Sequence, residues 1–206
     1  MIIVDLFFMN ELEILKLIWR DLTEPVSYIP LGLSAGAALA ACSVLFDLIF
    51  RKNKKRQSCT EPVWLRALCC FFLGVYLIVL LEQGLFSRPR GSRSGVSMLI
   101  LETWKGGAQS KAYVIENLLM FVPFGFLLPA CVSRTRSLLS TVPLAFMFSV
   151  LLEYVQYRTQ RGHAQADDVL MNTLGALCGF LIFLALKPFF DPEQPDLKHN
   201  DREADK

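Results

Sequence analysis

Five apolar runs, each long enough to cross a bilayer, constrain this 206-residue chain more than any other feature. A hydrocarbon core of roughly 30 Å takes about 20 mostly apolar residues as a helix. A helix also satisfies its own backbone in lipid, which an open strand cannot do. The runs lie at about 29–50, 64–86, 113–131, 138–157 and 168–187. They account for a composition that is 53% hydrophobic, with a mean hydropathy of +0.42. The expected fold is all-α: a polytopic transmembrane helix bundle of about five spans.

Charge divides the rest of the chain. Residues 1–28 are apolar but too charged for a span. On a helix, Glu13, Lys16 and Arg20 share one face, while Leu12, Leu15, Trp19 and Leu22 share another. That pattern predicts a helix lying in the interface, with Trp19 at headgroup depth. No basic stretch precedes the apolar part and no small-residue cleavage site follows it, so a signal peptide is not expected. The organisation read from sequence is an amphipathic segment at 1–28, two spans within 29–86, an outer loop at 87–112, a three-span core at 113–187, and a polar, disordered tail at 188–206.

The densest basic cluster, RKNKKR from Arg51 to Arg56, places the loop 51–63 in the cytoplasm. Alternation then puts Ser133–Ser137 and the tail inside as well. The N-terminal segment and the loops 87–112 and 158–167 fall outside. Arg88, Arg90, Arg93, Lys105 and Lys111 in the 87–112 loop oppose this, but RKNKKR is shorter, denser and earlier. Basic residues in short loops serve topology, so no nucleic-acid partner is expected. Cys42, Cys59, Cys69, Cys70, Cys131 and Cys178 show no CxxC pair and read as small core residues without a disulfide framework. His163 and His199 stand too far apart to suggest a metal site. Neither a metal nor a cofactor is expected.

The informative residues are polar ones inside the apolar runs. Glu153 and Gln156 are spaced i, i+3, and Asp168 and Asn172 i, i+4, so each pair shares a helix face. With Asn117 they fall at one depth, near the outer leaflet. Asp168 sits in the first turn of its helix, where the dipole favours an anion. Ionisable groups within membrane spans are costly and mark sites by default. Arg161, in the loop beside them, is able to pair a phosphate or carboxylate bidentately. The candidate ligand-binding set is Asn117, Glu153, Gln156, Arg161, Asp168 and Asn172.

Plainer readings stand beside this one. Asn117 alone would be interhelical glue worth about 0.6–2 kcal/mol. Glu116 and Asp167, next to loops, read as solvated interface charges; Arg158, Arg161 and His163 also serve as boundary markers. Asp47 is placed to reach the cytoplasmic interface and Glu82 the outer one. Gly175 and Gly179 form a GxxxG pattern in line with Asn172, suited to tight helix crossing and to a helix-mediated oligomer. Pro123 frees the carbonyl of Leu119 and, with Gly125, predicts a kink.

NLLMFVPFGFLLP (Asn117–Pro129), EYVQ (Glu153–Gln156) and DDVLMNTLGALCGF (Asp167–Phe180) together resemble the VanZ-like family. Its pattern is an N-x-x-x-F-x-P-F-G block, then E-x-x-Q, then R followed by D-D-x-x-x-N-T-x-G-A. Asn117, Phe121, Pro123, Phe124, Gly125, Glu153, Gln156, Arg161, Asp168, Asn172, Thr173, Gly175 and Ala176 match it. The N-L-x-P-F element that members often carry upstream has no clean counterpart in the 87–112 loop. The resemblance implies a small multi-pass protein of the bacterial cytoplasmic membrane. It also implies a link to low-level resistance to teicoplanin in Gram-positive bacteria.

Three functions compete at this stage. The first is a binder of envelope lipid or lipid-linked cell-wall material at the outer leaflet that alters glycopeptide susceptibility. The second is an intramembrane enzyme in which Glu153 and Asp168 divide base and acid roles. No nucleophile elbow, metal ligand set or phosphate-cradling loop accompanies them. The third is a small transporter, against which the one-leaflet position of the cluster speaks.

Overall fold

The computed structural model describes residues 2–51, 62–86, 91, 96–97, 107–161 and 164–190. These form an almost wholly helical membrane bundle: α1 (Ile2–Thr23), α2 (Ile29–Arg51), α3 (Val63–Leu81), α4 (Ala108–Cys131), α5 (Leu138–Thr159) and α6 (Ala166–Phe190). Five helices are long and apolar enough to cross a membrane, the first continuing from Glu11 through Ile49. The protein is a multi-pass membrane protein. The basic run beyond Arg51, Cys59, His163, most of the 87–106 loop and the tail beyond Phe190 lie outside the described residues.

α4 is the central helix. In its most apolar window 44% of residues are buried within the bundle, against 11% for the Glu11–Ile49 helix. Its most extensive partner is α6. The reason is backbone contact at glycine. A Cβ on Gly175 would lie 2.0 Å from the Leu118 carbonyl oxygen, and one on Gly179 2.0 Å from that of Val122. From the other side, a Cβ on Gly125 would lie 1.9 Å from the Ala176 carbonyl oxygen. Gly175 and Gly179 therefore serve the chain's own core, and the stripe expected to meet a second copy is occupied by α4. A similar contact joins α2 to α3, where a Cβ on Gly74 would lie 2.7 Å from the Cα of Gly36.

Aromatic side chains fill what remains. Phe121, Phe124 and Phe148 interlock, with Phe124 and Phe148 stacked at 5.3 Å between centroids. At the other end, Phe183 packs between Phe180 and Phe190. That contact explains why α6 runs through Pro188 to Phe190 rather than stopping at 187: Phe190 is buried. Outward faces remain apolar, as at Leu139 and Met147, which suits lipid.

Local boundaries shift for identifiable reasons. α4 begins at Ala108, behind the cap residue Gly107, so the loop before it is shorter than the expected 87–112. The extra turn packs Ala108, Ala112 and Ile115 against Ile14 and Ile18 of α1. The face α1 presents to the bundle is thus Ile14 and Ile18, while Leu12, Leu15 and Trp19 stay exposed. Asp47, expected at an interface, is buried and paired with Arg66 at 3.0 Å, clasping α2 to α3. Cys42, Cys69, Cys70, Cys131 and Cys178 are free thiols.

Two loops meet in a short parallel ladder that the sequence did not suggest, pairing Val96 with Ala164 and Ser97 with Gln165. The α3–α4 and α5–α6 connections therefore lie at the same end of the bundle. α5 leaves for that ladder through a left-handed residue, Gln160, at φ 54°. The amide N–H of Gln160 donates to the carbonyl of Tyr157, and that of Arg161 to the carbonyl of Gln156, which is the Schellman arrangement.

A methyl added at the α4–α6 contact has nowhere to go. Gly175→Ala should lower stability by about 1–3 kcal/mol or more, read as a fall in thermal midpoint in detergent. Gly107→Ala, where nothing lies within 4 Å of the added carbon, should change it by less than about 0.5 kcal/mol.

Candidate functional site

Four helix faces converge beneath the ladder. α3 and the wide turn that follows it, Glu82–Phe86, bring Tyr76, Leu80 and Gln83, spaced i, i+4, i+7. α4 brings Tyr113, Glu116, Asn117 and Met120, spaced i, i+3, i+4, i+7. α5 brings Leu152, Glu153 and Gln156, while α6 with its approach strand brings Gln165, Asp168 and Asn172. Together they line a cavity of about 240 Å³. Such spacings put each set on one side of its helix, so the cavity is where four polar stripes face one another.

Asn117, Glu153, Gln156, Asp168 and Asn172, chosen from sequence, line this one cavity. Arg161 does not. Its Nη1 donates to the carbonyl of Leu85, and its guanidinium lies 5.2 Å from the Phe86 ring centroid. Its job here is to hold the end of α3. Glu116 and Asp167 differ from the solvated charges expected of them. Glu116 lines the cavity, and Asp167 is only 2% exposed.

Irregular backbone explains several of these contacts. α3 ends in a wide π-helical turn, Glu82–Phe86, which interrupts the regular ladder of carbonyl bonds. Gln156 Nε2 donates to the Gly84 carbonyl at 2.9 Å, and Arg161 takes the next one, at Leu85. Pro123 lacks the N–H that would bond Leu119, and the Tyr76 hydroxyl donates to the adjacent Met120 carbonyl at 2.9 Å. Buried carbonyls in lipid need such partners. Gln83 Nε2 reaches the Asp21 carbonyl at 3.2 Å, fastening the end of α1 beside the site.

Two polar contacts set the cavity floor and roof. The Gln165 backbone N–H donates to Glu153 Oε2 at 3.1 Å, tying the ladder to α5. Asn172 Nδ2 donates to Ser149 Oγ at 2.8 Å, tying α6 to α5. The Asn172 Oδ1 is buried and meets no hydrogen-bond donor. Asp167 and Asp168 lie in the first turn of α6, where the helix dipole stabilises anions. Among the described residues no group of three or more His, Cys, Asp and Glu is arranged to hold a metal ion.

Tyr76, Gln83, Tyr113 and Gln165 also line the cavity without having been singled out from the sequence, and Glu116 joins them although it read as a solvated charge. The helical repeat of Tyr113, Glu116, Asn117 and Met120 on α4 was the signal for two of them. Gln165 carried none, because its role depends on a loop fold.

The model of a family described as VanZ/LLP1 matches residues 67–187, from early α3 to the end of α6. No curated protein and no solved structure matches the chain.

Removing the acceptor for Gln165 tests how the roof is held. Glu153→Leu should leave that amide without its charged partner, a loss of about 1.5–3 kcal/mol. Hydrogen exchange at residues 164–165 should speed up tenfold or more, while Glu153→Gln, which keeps an acceptor, should lie between variant and parent.

Proposed function

The chain belongs to the VanZ/LLP1 family, whose model covers more than half of it, and on that footing we propose that it binds the head of an envelope lipid or of lipid-linked cell-wall material at the outer leaflet. By occupying or sequestering that head, it alters susceptibility to glycopeptides such as teicoplanin. The observation that carries this reading is the convergence of Asn117, Glu153, Gln156, Asp168 and Asn172 on one cavity at the bundle end closed by the ladder.

Size supports a head group rather than a whole antibiotic. Pockets that take drug-sized ligands run to roughly 300–1,000 Å³, and this cavity holds about 240 Å³. Position supports a membrane ligand. The cavity lies at the end of spans whose outer faces are apolar, so acyl chains would remain in lipid while the head enters. Orientation follows from the basic run after α2, which keeps the opposite end in the cytoplasm. The protein then sits in a bacterial cytoplasmic membrane with the cavity toward the envelope.

A second reading has one observation of its own. Glu153 and Asp168 line the same cavity, so one carboxyl group is able to act as acid and the other as base on a bound lipid. Comparing envelope lipids by mass spectrometry with and without the gene separates the two. New or missing lipid species point to catalysis, and an unchanged lipid profile points to binding.

Expression of the parent chain in a Gram-positive host should change the inhibitory concentration of teicoplanin. Glu153→Ala and Asp168→Ala should abolish that change while the protein remains in the membrane fraction. Leu139→Ala, on a lipid-facing residue that is 85% exposed, should keep it. Parent-like behaviour of both carboxylate variants would sink the proposal.

A further inference from the structure

Resting on the reading of this cavity as a lipid-head site, we infer that its ligand is loaded sideways from the bilayer. The hydrocarbon tail leaves the cavity between α3 and α4, over Leu119 and below α1.

The inference starts from a residue that faces two ways. Leu119 lines the cavity, yet it is 41% exposed on the outside of the bundle. A side chain that does both marks a place where the cavity reaches the surface. Leu119 lies about 16 Å along the axis from Ala108 at one end of α4, and about 18 Å from Cys131 at the other. The opening is therefore at mid-span, where the surroundings are hydrocarbon and not water.

α1 bounds this opening on the ladder side. Ala108, Ala112, Ile115 and Leu119 recur at i, i+4, i+7 and i+11, so they form one stripe of α4. Ile14 and Ile18 of α1 pack with the first three. Leu119, one turn deeper, stands outside that cluster. The end of α1 is also fastened to the turn after α3, because Gln83 Nε2 donates to the Asp21 carbonyl. α1 thus bridges α3 and α4 above the gap and leaves it open below.

The polarity of the wall fits an amphiphile. From the ladder toward mid-span, Asn117 gives way to Leu119 on α4, Glu153 to Leu152 on α5, and Gln83 to Val79 on α3. Two deeper polar side chains, Tyr76 and Asn172, donate to the Met120 carbonyl and the Ser149 hydroxyl. A water-soluble ligand has no use for an apolar exit into the bilayer. A lipid keeps its head among the amides and carboxylates and its tail out of water.

Photo-crosslinking in bacterial membranes tests this on the full chain. p-Benzoylphenylalanine replaces Leu119 or, for comparison, Leu139, and the lipid adducts are read by mass spectrometry. Position 139, 85% exposed in the parent chain, should capture lipids in bulk proportions. Position 119 should enrich one lipid class at least fivefold over position 139, and adding Asp168→Ala should remove the enrichment. The adduct mass tells an acyl tail from a polyprenyl one. Leu119→Trp, which fills the opening, should lower at least fivefold the lipid that the purified parent chain retains in native mass spectrometry, and Leu139→Trp should not. If the benzoylphenylalanine chain does not reach the membrane, the tryptophan pair decides alone. Bulk proportions at position 119, or equal retention by the parent chain and Leu119→Trp, overturn the sideways route and leave lipid-head binding standing. No lipid retained by the parent chain overturns both.

Discussion

Everything at the polar end of this bundle depends on the backbone contact between α4 and α6. Lipid tails are as apolar as leucine, so no hydrophobic force drives helices together inside a membrane. Close packing must do so, and Gly125, Gly175 and Gly179 allow carbonyl oxygens of one helix to touch the Cα atoms of the other. This contact fixes the rotation of both helices about their axes. Once Gly175 and Gly179 face α4, Asn172 and Asp168 on the same stripe must face the cavity. On α4, Gly125 sets the side on which Glu116 and Asn117 appear.

The remaining motif residues manage irregular backbone. Pro123 opens the hydrogen-bond ladder of α4, and Tyr76 meets an adjoining carbonyl. The wide turn after α3 exposes the carbonyls of Gly84 and Leu85, which Gln156 and Arg161 accommodate. Such backbone is tolerated in a membrane only where protein or a cavity satisfies it. Gln156 and Arg161 are thus positioning groups as well as neighbours of the site. Their long side chains reach from α5 and its C-terminal cap to α3, closing the side of the cavity that α4 and α6 leave open.

Much of this was legible in advance, for different reasons. Span number follows from apolar run length, because the bilayer thickness is fixed. The choice of Asn117, Glu153, Gln156, Asp168 and Asn172 came from the cost of polar groups in lipid and from helical spacing, both local properties. Arg161 was harder. A guanidinium beside a loop reads equally as ligand clamp, boundary marker or backbone cap, and only the position of the Leu85 carbonyl distinguishes these. Asp167 and Glu116 were misread because proximity to a loop in sequence does not fix exposure when the ladder and α1 fold over that end. On α1, Leu12, Leu15 and Trp19 stay exposed, while Ile14 and Ile18, which the pattern did not single out, pack on Ala108 and Ala112.

The sequence by itself determined that this is an all-helical membrane protein with a cluster of carboxylates and amides at one depth, since hydropathy and periodicity are properties of single segments. It also carried the family pattern in the right order. The tertiary structure decided which of those groups meet, that Gly175 and Gly179 bind the chain to itself, and that the ladder roofs the site through Gln165 and Glu153. It also committed the amide donors of Gln156 and Asn172 to the Gly84 carbonyl and the Ser149 hydroxyl. Those outcomes depend on helix rotation and loop geometry, which are set by contacts between segments far apart in the chain and so leave no mark within any one of them.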